Sequence, residues 1–302
     1  GAAMEVRFWG VRGSVACPGE RYLRYGGNTS CLEVRADGHL IVLDGGTGLR
    51  ELGRALRGQG PIDADLFLTH THMDHIGGIP FFGPLFDPRC TWRLHAGHLL
   101  PRRTLYSVLQ DFMADPVFPV PPSIFAAAVT FEDFKSGTTL QIRPGVTMRT
   151  APLNHPQGAT GYRVEFGGHS ICYVTDTEHR PGKGLDANIV ELIRGADIFI
   201  YDSTYTDEDF GKYVGWGHST WQEGVRLANE AGVKQFVVFH HDPEHDDDRM
   251  DQIAAAAEAM RPGTIVAREG MLLSCDCAPR LRRACPGAAW PSRGPTQTRT
   301  RL

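Results

Sequence analysis

Thr69-His70-Thr71-His72-Met73-Asp74-His75-Ile76-Gly77-Gly78 gathers three imidazoles and one carboxylate into six consecutive residues. The run follows Asp65-Leu66-Phe67-Leu68, an apolar stretch that reads as a buried strand bounded by polar residues. In an extended chain, residues i and i+2 point to the same side, so His70 and His72 face one point. A turn into helix after Met73 swings Asp74 and His75 toward a second point nearby. Neutral imidazole and carboxylate are ligands for zinc and similar divalent metals. A histidine-rich surface turn accounts for one or two histidines, but not for four ligand-type residues at the end of a buried strand.

Working outward, the composition sets bounds. The chain has 302 residues, 41 % hydrophobic and 22 % charged, ordinary values for a soluble globular protein. A formal net charge of −4 gives no global attraction to nucleic acid or to an anionic membrane. No apolar run is long enough to span a bilayer, and the N-terminal residues lack a basic segment followed by an apolar core. Seven cysteines, with Cys17, Cys31, Cys90 and Cys172 scattered singly, read as reduced thiols of a cytoplasmic protein. From Cys275 onward arginines fall among Pro, Gly and Thr, and no acid follows Asp276. Residues 275–302 are therefore expected to form a disordered tail behind a single domain over 1–274. Cys275, Cys277 and Cys285 lack regular metal-binding spacing and are a weak metal candidate.

The HxHxDH run resembles the metallo-β-lactamase superfamily. That resemblance implies an α/β fold, a four-layer αβ/βα sandwich, with a two-metal site at one edge of the central sheets. It also implies three further ligands downstream: a His, an Asp and a His. Each has a candidate at the end of an expected strand. Val146 to Leu153 leads to Asn154-His155-Pro156, Ser170 to Val174 leads to Thr175-Asp176-Thr177, and Phe236 to Phe239 leads to His240-His241. By the resemblance, His70, His72 and His155 hold the first metal, Asp74, His75 and His240 hold the second, and Asp176 bridges both. His241 is expected to point elsewhere, and His95 and His98 are read as non-ligands. Asp44, in Asp44-Gly45-Gly46, stands where the family orients a metal-binding histidine without touching the metal. Asp202, after the strand Ile198 to Tyr201, either joins the site in the same way or caps a turn. Relatives with redox di-iron sites carry Glu where this chain has His72, so the pair is read as zinc, with manganese or iron(II) as alternatives.

Two metals a few ångström apart share a hydroxide and clamp the attacking and leaving oxygens, which makes the reaction class hydrolysis. Gly217-His218-Ser219-Thr220 before a helix resembles ribonuclease Z and phosphodiesterase relatives, in which this His contacts the scissile phosphate and protonates the leaving oxygen. Asp74 and His218 are thus the catalytic candidates. The opening loops, Gly10-Val11-Arg12-Gly13-Ser14 and Gly26-Gly27-Asn28-Thr29-Ser30, are similar to those of the phosphonate-pathway and class II cyclic-nucleotide phosphodiesterases, and Arg12 and Asn28 are assigned as phosphate contacts. The expected function is hydrolysis of a small or cyclic phosphodiester through a hydroxide bridged by two metals. The alternatives are an RNA 3′-end endonuclease of the ribonuclease Z kind, a thioesterase of the glyoxalase II kind, and a metal-stabilised sensing module without turnover. The partner is a small phosphodiester, with RNA ranked behind it and no membrane, and the resemblance implies a homodimer.

Overall fold

The computed structural model describes residues 4–276. Its strands, in chain order, are β1 (Glu5–Gly10), β2 (Cys31–Ala36), β3 (His39–Leu43), β4 (Asp63–Leu68), β5 (Thr91–Ala96), β6 (Ala128–Asp133), β7 (Leu140–Arg143), β8 (Val146–Leu153), β9 (Ala159–Phe166), β10 (His169–Val174), β11 (Ile198–Asp202), β12 (Gln235–Phe239), β13 (Ile265–Val266) and β14 (Leu272–Ser274). The helices are α1 (Gly48–Ala55), α2 (Met73–Ile76), α3 (Leu105–Phe112), α4 (Ala187–Ile193), α5 (Asp207–Phe210), α6 (Trp221–Ala231) and α7 (Asp247–Met260).

The strands form two sheets, ordered β14-β1-β2-β3-β4-β5-β6 and β13-β12-β11-β10-β9-β8-β7. In each, the inner strands are near-continuous apolar runs, as in His39-Leu40-Ile41-Val42-Leu43 and Ile198-Phe199-Ile200-Tyr201, because both faces are covered. Three apolar layers follow. Phe8, Phe67, Tyr162, Tyr173 and Phe239 fill the space between the sheets. Leu49, Leu52, Leu66, Trp92 and Leu109 join the first sheet to α1 and α3, and Phe199, Trp221, Leu227 and Ile253 join the second to α6 and α7. Helix, sheet, sheet and helix make the four-layer αβ/βα sandwich that the sequence implies.

The helix ends follow capping chemistry. Thr104 and Thr220 accept hydrogen bonds from the N3 backbone of α3 and α6, and Asp246 does the same for α7. The acidic run that opens α7 thus lies at a helix N-terminus, where carboxylates are favoured. Strands β6 and β7 at the sheet edges were not read from sequence; they are short and half-exposed. The aromatic stretch 79–86 divides. Ile79, Phe82 and Leu85 are buried in the helix-covered core, while Phe81 is exposed and packs edge-on against Phe118.

The topology places the site. Strands β3 to β6 run parallel in one sheet, and β10 to β13 run parallel in the other. Loops that leave the carboxyl ends of both sets meet at one edge of the sandwich, where ligands collect in open α/β sheets. Among the described residues no helix is long and apolar enough to cross a membrane. Cys17, Cys31, Cys90, Cys172 and Cys275 are free thiols, and Cys277 and Cys285 lie outside the described residues, as do residues 277–302 of the expected tail.

Candidate metal centre

Strand β4 ends at Leu68, and the next seven residues supply most of the centre. His70 is buried, His72 stands before the short helix α2, and Asp74 and His75 lie within it. His155 follows β8, Asp176 follows β10, and His240 follows β12. The ligating-type atoms of these seven residues form two adjoining groups. His70, His72 and His155 make one, and Asp74, His75, Asp176 and His240 make the other.

Asp176 joins them. Its Oδ1 is 3.5 Å from His70 Nε2 and 3.6 Å from His155 Nε2. Its Oδ2 is 3.1 Å from His75 Nε2 and 3.4 Å from His240 Nε2. Asp74 Oδ2 closes the second group, 3.1 Å from His75 Nε2 and 3.3 Å from His240 Nε2. Each carboxylate oxygen of Asp176 thus faces a different pair of imidazole nitrogens.

The far nitrogen of each of the five histidines is tied back. His75 Nδ1 donates to Asp44 Oδ2 at 2.8 Å, His155 Nδ1 to the Gly217 carbonyl at 2.8 Å, and His72 Nε2 to Gln157 Oε1 at 2.8 Å. The Thr69 and Thr204 hydroxyls donate to Asp44 and Asp202, so they accept from His70 Nδ1 at 3.0 Å and His240 Nδ1 at 2.9 Å. Every ring therefore turns a lone pair toward the centre. His70 Nε2 is buried there without a hydrogen-bond partner, and His75 Nε2 faces only the Asp74 and Asp176 carboxylates. His72 Nδ1 and His155 Nε2 stand 3.1 Å apart, two acceptors face to face. Such an arrangement needs cations between the groups.

The electrostatics agree. Asp44, Asp74, Asp176 and Asp202 crowd the centre, and among the described residues no Lys or Arg bonds to any of them. Burial pushes the Asp176 carboxyl up, but His240, His75 and His70 outweigh it and hold its pKa well below the usual carboxylate range. Burial alone would neutralise His75, yet Asp176, Asp74 and Asp44 raise its pKa well above the usual value. Burial, with repulsion from His75, lowers that of His70, which favours the neutral form that metals bind. Four carboxylates and five histidines therefore fit a pair of divalent cations.

The backbone is held in a sparsely populated conformation at these corners. Among the described residues six non-glycine residues have positive φ: Ser14, Asp37, Asp44, Gln157, Asp176 and His240. All but Asp37 touch the centre. Ser14 N–H donates to Asp74 Oδ2 at 3.0 Å, and Gln157 holds His72. Left-handed backbone at non-glycine residues costs roughly 1–3 kcal/mol each, and it persists where function requires the geometry.

His218 stands beside both groups. Its Nδ1 donates to Asp202 Oδ2 at 2.9 Å and lies 3.9 Å from Asp176 Oδ1, and its ring stacks on His240. Burial pulls its pKa down, but Asp202 and Asp176 more than offset this and raise it to about 9. His241 points elsewhere, its Nε2 donating to the Ala267 carbonyl at 2.8 Å. His98 bonds Thr71 with its ring 6.5 Å from that of His70, outside both groups, and His95 bonds Asp65 away from the centre.

Two expectations need correction. Arg12 is fully buried, and its guanidinium donates to the carbonyls of Gly26, Asp242 and His245. It ties its own loop to two others, and four of its five N–H groups go to these carbonyls in a side chain sealed from solvent. Asn28 gives its backbone N–H and its side-chain amide to Glu269. The opening loop lines the centre through its backbone instead. Ser14 N–H binds Asp74, and a Cβ at Gly13 would collide with the His240 ring. The sequence reading also missed Thr69, Thr204, Gln157 and Tyr173, which act on the ligands only through contacts made in the folded chain.

Comparison with known proteins gives the same picture. The β-lactamase superfamily domain matches residues 39–241. The chain is similar to the ribonuclease Z of Methanothermobacter thermautotrophicus, with 26 % identity covering 89 % of this chain and 95 % of that protein. Among solved structures, it is similar to a diphosphatase of the PhnP family, with a TM-score of 0.66, 22 % identity, and coverage of 90 % of this chain and 97 % of the other. It is also similar to the short form of human tRNase Z, with a TM-score of 0.63, 19 % identity, and coverage of 90 % and 99 %.

Proposed function

The chain belongs to the β-lactamase superfamily, with the metallo-β-lactamase fold, and from that premise we propose that it is a two-metal phosphodiesterase acting on a small or cyclic phosphodiester. One metal would be held by His70, His72, His155 and Asp176 Oδ1, the other by Asp74, His75, His240 and Asp176 Oδ2. Zinc suits these donors, and manganese and iron(II) suit them too. Bound there, the pair would supply charge for the phosphoryl oxygens and water acidic enough to attack at neutral pH.

The observation that carries the phosphodiester reading is the His218–Asp202 pair. With Nδ1 on Asp202, which favours the charged ring, a protonated His218 keeps a proton on Nε2 to give away. A thiolate leaves unaided, because its conjugate acid has a pKa near 8.5. An alkoxide is far more basic and leaves well only with a proton. A charged acid beside the metals therefore suits an ester of phosphate better than a thioester. Asp202 fixes the orientation of the imidazole, and the backbone N–H of Ser14 fixes Asp74. A net charge of −4 offers a polyanion no general attraction, which favours a small substrate over a transfer-RNA precursor.

The test is a hydrolysis panel on metal-quantified protein, with Asp74→Ala as control. It comprises 2′,3′- and 3′,5′-cyclic nucleotides, bis(p-nitrophenyl) phosphate, a transfer-RNA precursor with a 3′ trailer, and an acyl thioester. Metal-dependent turnover of the small diesters alone is the expected result. Cleavage of the trailer would move the assignment to the ribonuclease Z activity that its relatives are named for, and thioester turnover would overturn the phosphodiester reading. A protein that holds two metals and turns over nothing would be a sensing module.

A further inference from the structure

The loop just before His218 carries an exposed tryptophan on a rigid backbone. Trp216 is 67 % exposed, yet the chain on either side of it is pinned. Glu178 Oε1 accepts the N–H groups of both Gly215 and Gly217, at 2.7 and 3.1 Å. The Gly217 carbonyl accepts from His155 Nδ1, and Trp216 N–H donates to the Tyr213 carbonyl at 3.1 Å. Gly217 has φ 90°, and a Cβ there would run into the His155 ring, so the loop passes directly against a metal-site histidine. Glu178 itself lies two residues beyond Asp176, so one strand end sets both the shared carboxylate and this loop.

Behind Trp216 runs a ladder of rings that ends at the proposed acid. Tyr213 meets Trp216 edge-on, with centroids 6.5 Å apart. Tyr213 stacks on Tyr205 at 4.5 Å, the planes 10° apart, and Tyr205 meets His218 edge-on at 5.9 Å. A solvent-facing indole on a pinned backbone, met edge-on by Tyr213, is placed to receive a flat partner. Gly217 alone separates it from His218 in the chain, so the two Cα atoms lie within roughly 7 Å of each other. In a nucleotide the base stands one sugar away from the phosphate, a comparable span.

Resting on the phosphodiesterase reading, we infer that the substrate is a nucleotide diester and that Trp216 sets this specificity by stacking on the nucleobase next to the scissile phosphate. Tyr213 and Tyr205 support the indole from behind. Base–aromatic stacks tolerate every base, so the site selects for a base without choosing strongly among bases.

Calorimetric binding to the metal-loaded protein tests this apart from turnover. The probes are adenosine 3′-monophosphate and its base-free counterpart, 1-O-methylribose 3-phosphate. The wild type should bind the nucleotide about 5- to 150-fold more tightly, the range that one base–aromatic stack supplies. Trp216→Ala should lose that preference and leave the affinity for the base-free phosphate unchanged, whereas Trp216→Phe should keep most of it. The side chain is exposed, so neither substitution threatens the fold. Equal affinity of the wild type for the two probes, or a preference that survives Trp216→Ala, would overturn the inference. So would affinity for alkyl phosphates that rises with chain length in place of a base preference. Hydrolysis of adenosine 2′,3′-cyclic monophosphate, measured alongside, separates the two claims. Base-dependent binding without turnover would sink the phosphodiesterase reading alone, and turnover without base-dependent binding would sink the stacking alone.

Discussion

Strand β4 connects two clusters of histidine and aspartate that share a composition and differ in what satisfies them. Five residues before His70, Asp65 sits buried between β3 and β5. It accepts from His39 Nε2 at 2.7 Å, His95 Nε2 at 2.8 Å and Arg93 Nε at 2.9 Å, and a second Arg93 nitrogen reaches it at 3.0 Å. That cluster is complete: one carboxylate is matched by an arginine and two ring N–H groups. At the carboxyl end of the strand, four carboxylates face five histidines and His218, among the described residues no arginine or lysine bonds to them, and the buried His70 Nε2 has no hydrogen-bond partner. A metal site is thus told from a structural cluster by its unmet donors and unbalanced charge, since the residue types alone are the same.

The sharpest way to break this contrast is to exchange the two aspartates' fates. Asp176→Asn removes the charge that both groups of donors share. It should strip metal from the protein and lower diester hydrolysis by at least about 10³-fold. Asp65→Asn should leave metal content, measured by elemental mass spectrometry, at the wild-type value. Equal metal loss in the two variants would erase the distinction drawn between the clusters.

A smaller effect separates chemistry from metal binding. His218→Ala should retain both metals and lose about 10²- to 10⁴-fold in kcat on diesters with alkyl leaving groups, the usual worth of a general acid. With p-nitrophenoxide leaving, the loss should nearly vanish. Asp202→Asn tests the origin of the acid's pKa. Asp202 contributes most to raising it, ahead of Asp176, so removing that charge lowers it. The alkaline limb of the pH–rate profile should therefore move to lower pH, and the variant should be most impaired on that limb. An unmoved limb would assign it to another group.

Much of this site was legible in the sequence, because its ligands sit at strand ends and strands announce themselves by apolar runs. His70, His72, Asp74 and His75 share one short stretch, and His155, Asp176 and His240 each close an apolar segment. Their number in one chain matched a family pattern that also implied the sandwich. Arg12 was misread because an arginine in a Gly-rich loop looks free, and only the folded chain shows three carbonyls closing on its guanidinium. Tyr173 and Thr204 gave no signal for the same reason. Tyr173 reads as one more apolar strand residue, yet its hydroxyl donates to Asp44 at 2.8 Å.

That hydroxyl supplies a finer prediction. Asp44 Oδ2 accepts from His75, Thr69 and Tyr173, which together fix the carboxylate that fixes His75. Tyr173→Phe removes one donor and leaves the ring's packing against Phe239 in place. Metal affinity should fall by about 10-fold, the lower end for an outer partner of a metal site. Competition with a chelator measures it, and an unchanged affinity would show that Thr69 and His75 suffice to hold Asp44.

The least effect on the site, and one confined to stability, belongs to the satisfied cluster. Burial pushes the Asp65 carboxyl up, but hydrogen bonds from His39, His95 and Arg93 outweigh it and hold its pKa well below the usual carboxylate range. Because the folded pKa lies below the unfolded value of about 3.9, the ionised carboxylate stabilises the fold above that pH, and the contribution is lost as pH falls through and below it. Asp65→Asn leaves Arg93 with Asp63 as its remaining carboxylate and should cost about 1–3 kcal/mol at pH 7, the range for losing a charged hydrogen-bond partner. Denaturant unfolding of the two proteins should show that gap narrowing as the pH is lowered toward 2. The metal centre protonates on the same descent in both, so the difference between them isolates Asp65. A gap independent of pH would mean that Asp65 acts through packing, and that its charge is not what completes the cluster.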